Sequence, residues 1–240
     1  MKAPAEVATP ELHIRGVSKT YPNGVQALKD VTLTIPGGTY GLLGPRGAGK
    51  STLMRMLATL QEPDTGTIHL GNLDVGYLPQ GASQGDRFAV LEGDAKLLIL
   101  DEPTAGLDPG ERVRFLNRLR EQAENRTVML STSSVEDISE LGPRMAIIHE
   151  GRILLEAEPS HAVGDLSGRV WHREITNEAA ARVQREYAVI SMKLSATGIA
   201  VRVYSHTAPA VGFERARPTL EDVYLSAIAG HLTRTTAAAR

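Results

Sequence analysis

The chain has 240 residues, which at roughly 150 residues per domain makes one or two domains. Apolar residues make up 42% and charged residues 22%, enough for a sizeable core and incompatible with a wholly disordered chain. The 26 Lys and Arg against 28 Asp and Glu leave no basic excess to draw the chain to nucleic acid, and the absence of cysteine excludes disulfides, thiolate nucleophiles and Cys-based zinc sites.

Residues 1–10, rich in Ala and Pro, read as a frayed leader without the apolar stretch of a secretory signal. Strands are expected over Leu12–Val17 and Val31–Ile35, where Val31, Leu33 and Ile35 alternate with threonines, and a turn over Tyr21–Gly24. Tyr40–Leu43 reads as a strand and Ser51–Leu60 as a helix, with Leu53, Met56, Leu57 and Leu60 at helical spacing. Thr67–Leu70 is a further strand. Residues 71–96 carry five glycines and no sustained period. Leu97–Leu100, Thr127–Ser131 and Met145–His149 read as short buried strands, and Pro109–Glu124 as a charged helix. Alternating strands and helices predict a mostly parallel sheet covered on its faces.

After Gly151–Pro159 the composition shifts. Strand Val170–Ile175, helix Asn177–Tyr187 and a hairpin of Val189–Leu194 with Ile199–Tyr204 make a small α+β appendage over 168–230, and Thr219–Asp222 caps a last helix. No run approaches the roughly eighteen apolar residues of a membrane span, so the expected product is a soluble, cytoplasmic protein.

Chemistry concentrates in two places. Gly44-Pro45-Arg46-Gly47-Ala48-Gly49-Lys50-Ser51 fits G-x-x-x-x-G-K-[ST] between a strand and a helix, the context this phosphate-binding motif requires. Glycines admit phosphate to the backbone, and successive amides at a helix N-terminus form an anion nest. Lys50 adds a cation for the β- and γ-phosphates, and Ser51 a hydroxyl for Mg²⁺. The second place is the strand Leu97–Leu100 ending in Asp101 and Glu102. Asp101 is expected to reach the Mg²⁺ shell and Glu102 to polarise an attacking water.

In this combination and order the motifs over residues 11–160 resemble the nucleotide-binding subunit of an ABC transporter. Leu43–Thr52 resembles its Walker A, Gly76–Gln80 its Q-loop, Leu97–Thr104 its Walker B and Ala105–Asp108 its D-loop. Pro218–Tyr224 is similar to the tail of bacterial export-type subunits. The resemblance implies an α/β fold: a P-loop NTPase core of the RecA-like, ABC type, with a mostly parallel sheet, antiparallel N-terminal strands and the small C-terminal α+β appendage. It implies ATP and Mg²⁺ as ligands, held by Tyr21 stacked on adenine and by Gly44 through Thr52. Ser51, Gln80 and Asp101 serve the metal, and Glu102 and Gln80 serve hydrolysis. The implied partners are a transmembrane permease and a second copy of the chain, with no nucleic acid, and the implied place is the cytoplasm at the inner membrane face.

Three positions depart from the family. Only Gly81–Lys96 separates Gln80 from the Walker B strand, where the family has a helical subdomain and the signature sequence. Ser83-Gln84-Gly85 is either a remnant of that signature or a coincidence. Arg46 stands where the family has Asn, as extra phosphate contact, steric obstruction or plain surface residue. Ser133 stands where it has the switch His. The expectation is therefore an ATPase subunit driving a permease, with two alternatives: a degenerate module that binds nucleotide with little or no turnover, and an interaction module whose phosphate loop is only structural.

Overall fold

Leu12, Ile14 and Val17 on β1 (Leu12–Thr20) sit opposite Ile35, Leu33 and Val31 on β2 (Gln26–Ile35), and all six are buried. The strands pair antiparallel, joined by a turn in which Gly24 N–H donates to Tyr21 O at 2.9 Å. β3 (Gly38–Leu43) runs into α1 (Lys50–Leu57), and β4 (Thr65–His69) joins the free edge of β1 to complete a sheet of order β2-β1-β4. The computed structural model describes residues 11–71 and 73–232; the expected leader over 1–10 lies outside them. The chain divides between Ile153 and Leu154 into two units.

The larger sheet of the first unit is built on β5 (Val75–Leu78), β6 (Leu97–Asp101), β7 (Thr127–Thr132) and β8 (Arg144–His149) around β3. Its order is β5-β6-β7-β3-β8-β9, with β9 (Arg152–Ala157) leading across the unit boundary. The pairs β5–β6, β6–β7, β3–β7 and β3–β8 are parallel. Every residue of β6 and β7 is buried, as in a parallel sheet covered on both faces. On one face Leu53, Met54 and Leu57 of α1 join Leu97, Ile99 and Met129 and the β1–β2 hairpin in one core. On the other, Phe115, Leu116 and Leu119 of α3 (Pro109–Ala123) pack with Leu98, Leu100, Val128 and Leu130. The mostly parallel sheet and the antiparallel N-terminal strands are thus as the sequence indicates.

The glycine-rich stretch after β5 holds α2 (Gln84–Glu92), which has too few core positions to show a period. Only Arg87 and Leu91 are buried. Local and tertiary contacts fix it instead. Ser83 and Asp86 form a reciprocal capping box, Leu91 enters the α3-side core, and Phe88 meets Phe115 edge-on at 6.1 Å. Gln84 Nε2 donates to Glu111 Oε1 at 2.7 Å, and Arg126 donates to Leu91 O at 3.2 Å. A short helix, α4 (Val135–Leu141), follows β7.

In the second unit α5 (Pro159–Asp165) precedes β10 (Val170–Ile175), α6 (Asn177–Glu186), β11 (Ala188–Leu194), β12 (Ile199–Tyr204), β13 (Glu214–Arg215) and α7 (Leu220–Ile228). The strands form an antiparallel sheet of order β11-β12-β10-β13. Trp171, Ile175, Val201, Val203, Val183 and Phe213 make its core. Asp222 caps α7 with Thr219 and takes both Nε and Nη2 of Arg202 at 2.7 Å. The Pro218–Tyr224 motif is therefore a helix start pinned to β12 by a two-pronged ion pair.

Candidate functional site

The loop from Gly44 to Gly49 must be glycine-rich for steric reasons. A Cβ on Gly44 would stand 2.4 Å from Ile148 O, and one on Gly49 2.4 Å from Ala27 O. Gly49 has φ 104°, a left-handed backbone that side chains resist. As the N-cap of α1, Gly49 brings no side chain to accept from the helix's first amides. Those donors, with the positive end of the helix dipole, suit this end of α1 to an anion.

Lys50 is 5% exposed, and its ammonium has three close oxygen partners. Nζ lies 2.6 Å from Gly44 O, 3.1 Å from Pro45 O and 3.0 Å from Glu102 Oε1. Glu102, 7% exposed, has φ 51°, unusual for a residue with a side chain. Its N–H donates to Ser131 O at 3.1 Å and Ser131 Oγ at 3.0 Å. Ser131 Oγ in turn donates to Asp101 Oδ1 at 2.5 Å. The N–H and hydroxyl of Ser133 donate to Glu102 Oε2 at 3.2 and 3.3 Å. Both carboxylate oxygens of Glu102 are thereby engaged, one by Lys50 and the other by Ser133.

A pocket of about 620 Å³ opens over this group. Arg46, Gly47, Gly49, Lys50, Ser51 and Thr52 line it from the loop and α1, with Gln80 and Glu102 beside them. Val25, Gln26, Ala27 and Lys29 of the hairpin, and Glu150 and Gly151 from the turn after β8, complete the lining. Gly44, Pro45 and Ala48 support it from behind: Ala48 O accepts from Gly151 N–H and Gly44 N–H donates to Thr132 O. Asp101, 2% exposed, is not among the lining residues.

Tyr21 also falls outside the lining. Its hydroxyl lies 3.1 Å from Thr52 Oγ1, donates to Gln61 Oε1 at 3.2 Å and accepts from Arg55 Nη2 at 3.0 Å. Burial pushes its pKa up, but these bonds and the Arg55 charge outweigh burial and hold it below the ordinary value. Tyr21 braces α1, and Val25 occupies the hairpin side of the pocket.

Lys29, Glu150 and Asp137 are not apparent from local sequence. Asp137 is fully buried on α4 and accepts from Thr104 Oγ1 at 2.7 Å, Thr132 Oγ1 at 2.5 Å and Arg112 Nε at 2.8 Å. It ties the segment after Glu102 to the end of β7. Only the acidic start of α4 hints at it in the sequence.

Ser51, Gln80 and Asp101 offer oxygen donors alone, which suits a hard cation such as Mg²⁺ sharing phosphate and water oxygens. Among the described residues no three His, Asp or Glu gather into a cluster that would hold a metal by itself.

Comparison with known proteins agrees with this geometry. The family model for ABC transporters matches residues 28–94, an interval ending before Asp101 and Glu102. The daunorubicin/doxorubicin resistance ATP-binding protein DrrA of Streptomyces peucetius is 29% identical over 257 residues, 79% of this chain and 77% of the relative. That alignment is longer than the chain, so it opens gaps in it. The Nod factor export ATP-binding protein I of Mesorhizobium japonicum is 26% identical over 69% of this chain and 68% of its own length. An ATP-binding subunit of an ABC transporter shares the fold with a TM-score of 0.54 at 21% identity, over 65% of this chain and 93% of the other. A dimeric ATP-binding cassette with ADP and phosphate gives 0.53 at 19%, over 61% and 98%. Family match, curated relatives and shared fold all point to similarity with ABC transporter ATP-binding proteins, and in this chain the helix α2 stands between Gln80 and β6.

Proposed function

We propose that the chain is the ATP-binding subunit of an ABC transporter, binding Mg-ATP in the Gly44–Thr52 pocket and hydrolysing it for a separate membrane permease at the cytoplasmic face. The observation that carries this reading is the uncapped N-terminus of α1 behind a loop that only glycine can form at Gly44 and Gly49. In this reading residues 11–160 are a truncated nucleotide-binding domain and 168–230 its appendage. Bound Mg-ATP supplies the phosphoryl group and a divalent charge. The amides of residues 47–51 bind phosphate oxygens, and Lys50 exchanges its contact with Glu102 for them. Ser51, Gln80 and Asp101 would hold the metal shell. Glu102, turned by its left-handed backbone, orients and polarises water. Among the described residues no helix is long and apolar enough to cross a membrane. A permease and a second copy of the chain are the partners of this reading.

A second reading, a module that binds nucleotide and turns it over little or not at all, is favoured by one feature. Both oxygens of Glu102 are tied by Lys50 and Ser133, which opposes its action on water. Calorimetry with Mg-ATP followed by a phosphate-release assay separates the two. Binding with release supports the ATPase subunit, binding without release supports the second reading, and no binding refutes both.

A further inference from the structure

Arg46 is the cation that the apex of the phosphate loop itself brings to the pocket, and its side chain has nothing to hold. The three protons of Lys50 have three acceptors, and its charge is matched by Glu102. Lys29, on β2 at the hairpin side of the pocket, is held by its backbone N–H on Gly151 O at 2.8 Å; its ammonium, like the Arg46 guanidinium, has no partner among the described residues, but it does not stand on the phosphate loop. Arg46 is exposed at the loop apex, and its guanidinium makes no hydrogen bond or ion pair with the described residues. The neighbouring Gly47 has φ 79° and no atom within 4 Å of where its Cβ would stand, so the apex projects into open space.

The position of Arg46 along the pocket follows from Lys50. One ammonium touches both Pro45 O and Glu102 Oε1, which puts the Pro45–Arg46 peptide at the Glu102 end. That is the end where the transferred phosphoryl group must lie if Glu102 is to act on water. A terminal phosphate carries close to two negative charges, about twice an inner one. A guanidinium offers paired donors for such a group and stays charged at any working pH.

We propose that Arg46 is the terminal-phosphate contact of this pocket, supplied by the chain itself, and that it sets the preference for nucleoside triphosphate over diphosphate. The proposal rests on the nucleotide-binding reading above. Its consequence is selectivity rather than general affinity: the loop amides and Lys50 serve both nucleotides, and Arg46 reads only the last phosphate.

The test is calorimetric titration of the full chain with Mg-ATP and with Mg-ADP, for the natural protein, Arg46→Ala, Arg46→Gln and Lys50→Ala. Arg46→Ala and Arg46→Gln are expected to lower ATP affinity about tenfold and ADP affinity less than about twofold. Lys50→Ala lowers both. Because Arg46 is exposed and unpaired, neither Arg46 variant has a folding contact to lose, and unchanged melting checks this. An unaltered ATP-to-ADP ratio in both variants, with Lys50→Ala still defective, overturns the role of Arg46 and leaves the nucleotide reading standing. Failure of the natural protein to bind either nucleotide overturns both.

Discussion

The phosphate loop and the Gly81–Lys96 connection sit on the same sheet and are specified in different ways. At Gly44 and Gly49 the backbone passes so close to Ile148 O and Ala27 O that no side chain fits, so few alternatives to the sequence exist. The connection needs only to cover the α3-side core. One capped helix does this with Leu91, Phe88 and a few polar contacts. A site made of main-chain amides tolerates little change. A cover made of side chains can be shortened as long as the apolar surface beneath it stays shielded.

Leu91→Ala should have the largest effect on stability, because Leu91 is fully buried and truncation leaves a cavity. About 2–5 kcal/mol should be lost in chemical denaturation, with Mg-ATP affinity of the folded fraction unchanged. A matching loss of affinity would show that the connection and the loop are not separable.

Asp137→Asn comes next. Two threonine hydroxyls and Arg112 converge on that carboxylate, and the change should cost about 1–3 kcal/mol. Unlike Leu91→Ala it should also lower phosphate release in any turnover the protein shows, since Asp137 braces the segments carrying Glu102 and Ser133. Ser83→Ala removes the N-cap of α2 and should cost about 1 kcal/mol, measured as a shift in the denaturation midpoint.

Smallest of all is Asp64→Asn, which belongs to neither region. The ammonium of Lys19 and the N–H of Thr20 hold the Asp64 carboxyl below the usual carboxylate range. Its contribution is present above the unfolded-state pKa and fades as pH falls through the lowered folded value. The variant should therefore be slightly less stable near neutral pH and indistinguishable from the natural protein once both carboxyl forms are protonated, which acid-unfolding curves would record.

Much of the fold was legible where one element supplies its own pattern. The alternation in β2, the apolar run of β6 and the helical spacing of α1 each report a buried face. α2, α4 and α5 were not, because each has nine residues or fewer with at most three of them buried, and Asp137 is one of those of α4. The site divides similarly. Gly44–Ser51 and Asp101-Glu102 are contiguous and visible, whereas Lys29 and Glu150 reach the pocket only after β2 and the turn following β8 come alongside the loop. Tyr21 shows the limit of local reading. An aromatic at that place is plain in the sequence, but its hydroxyl is directed by Thr52, Gln61 and Arg55, more than thirty residues away.

The central claim is that the amides of residues 47–51 and Lys50 hold a nucleoside triphosphate with its metal. Calorimetric titration of Mg-ATP into the full chain, beside Lys50→Ala, tests it most directly. The account predicts saturable one-site binding weakened about a hundredfold in the variant. Absence of binding to the natural protein, or the same affinity in both, would contradict it.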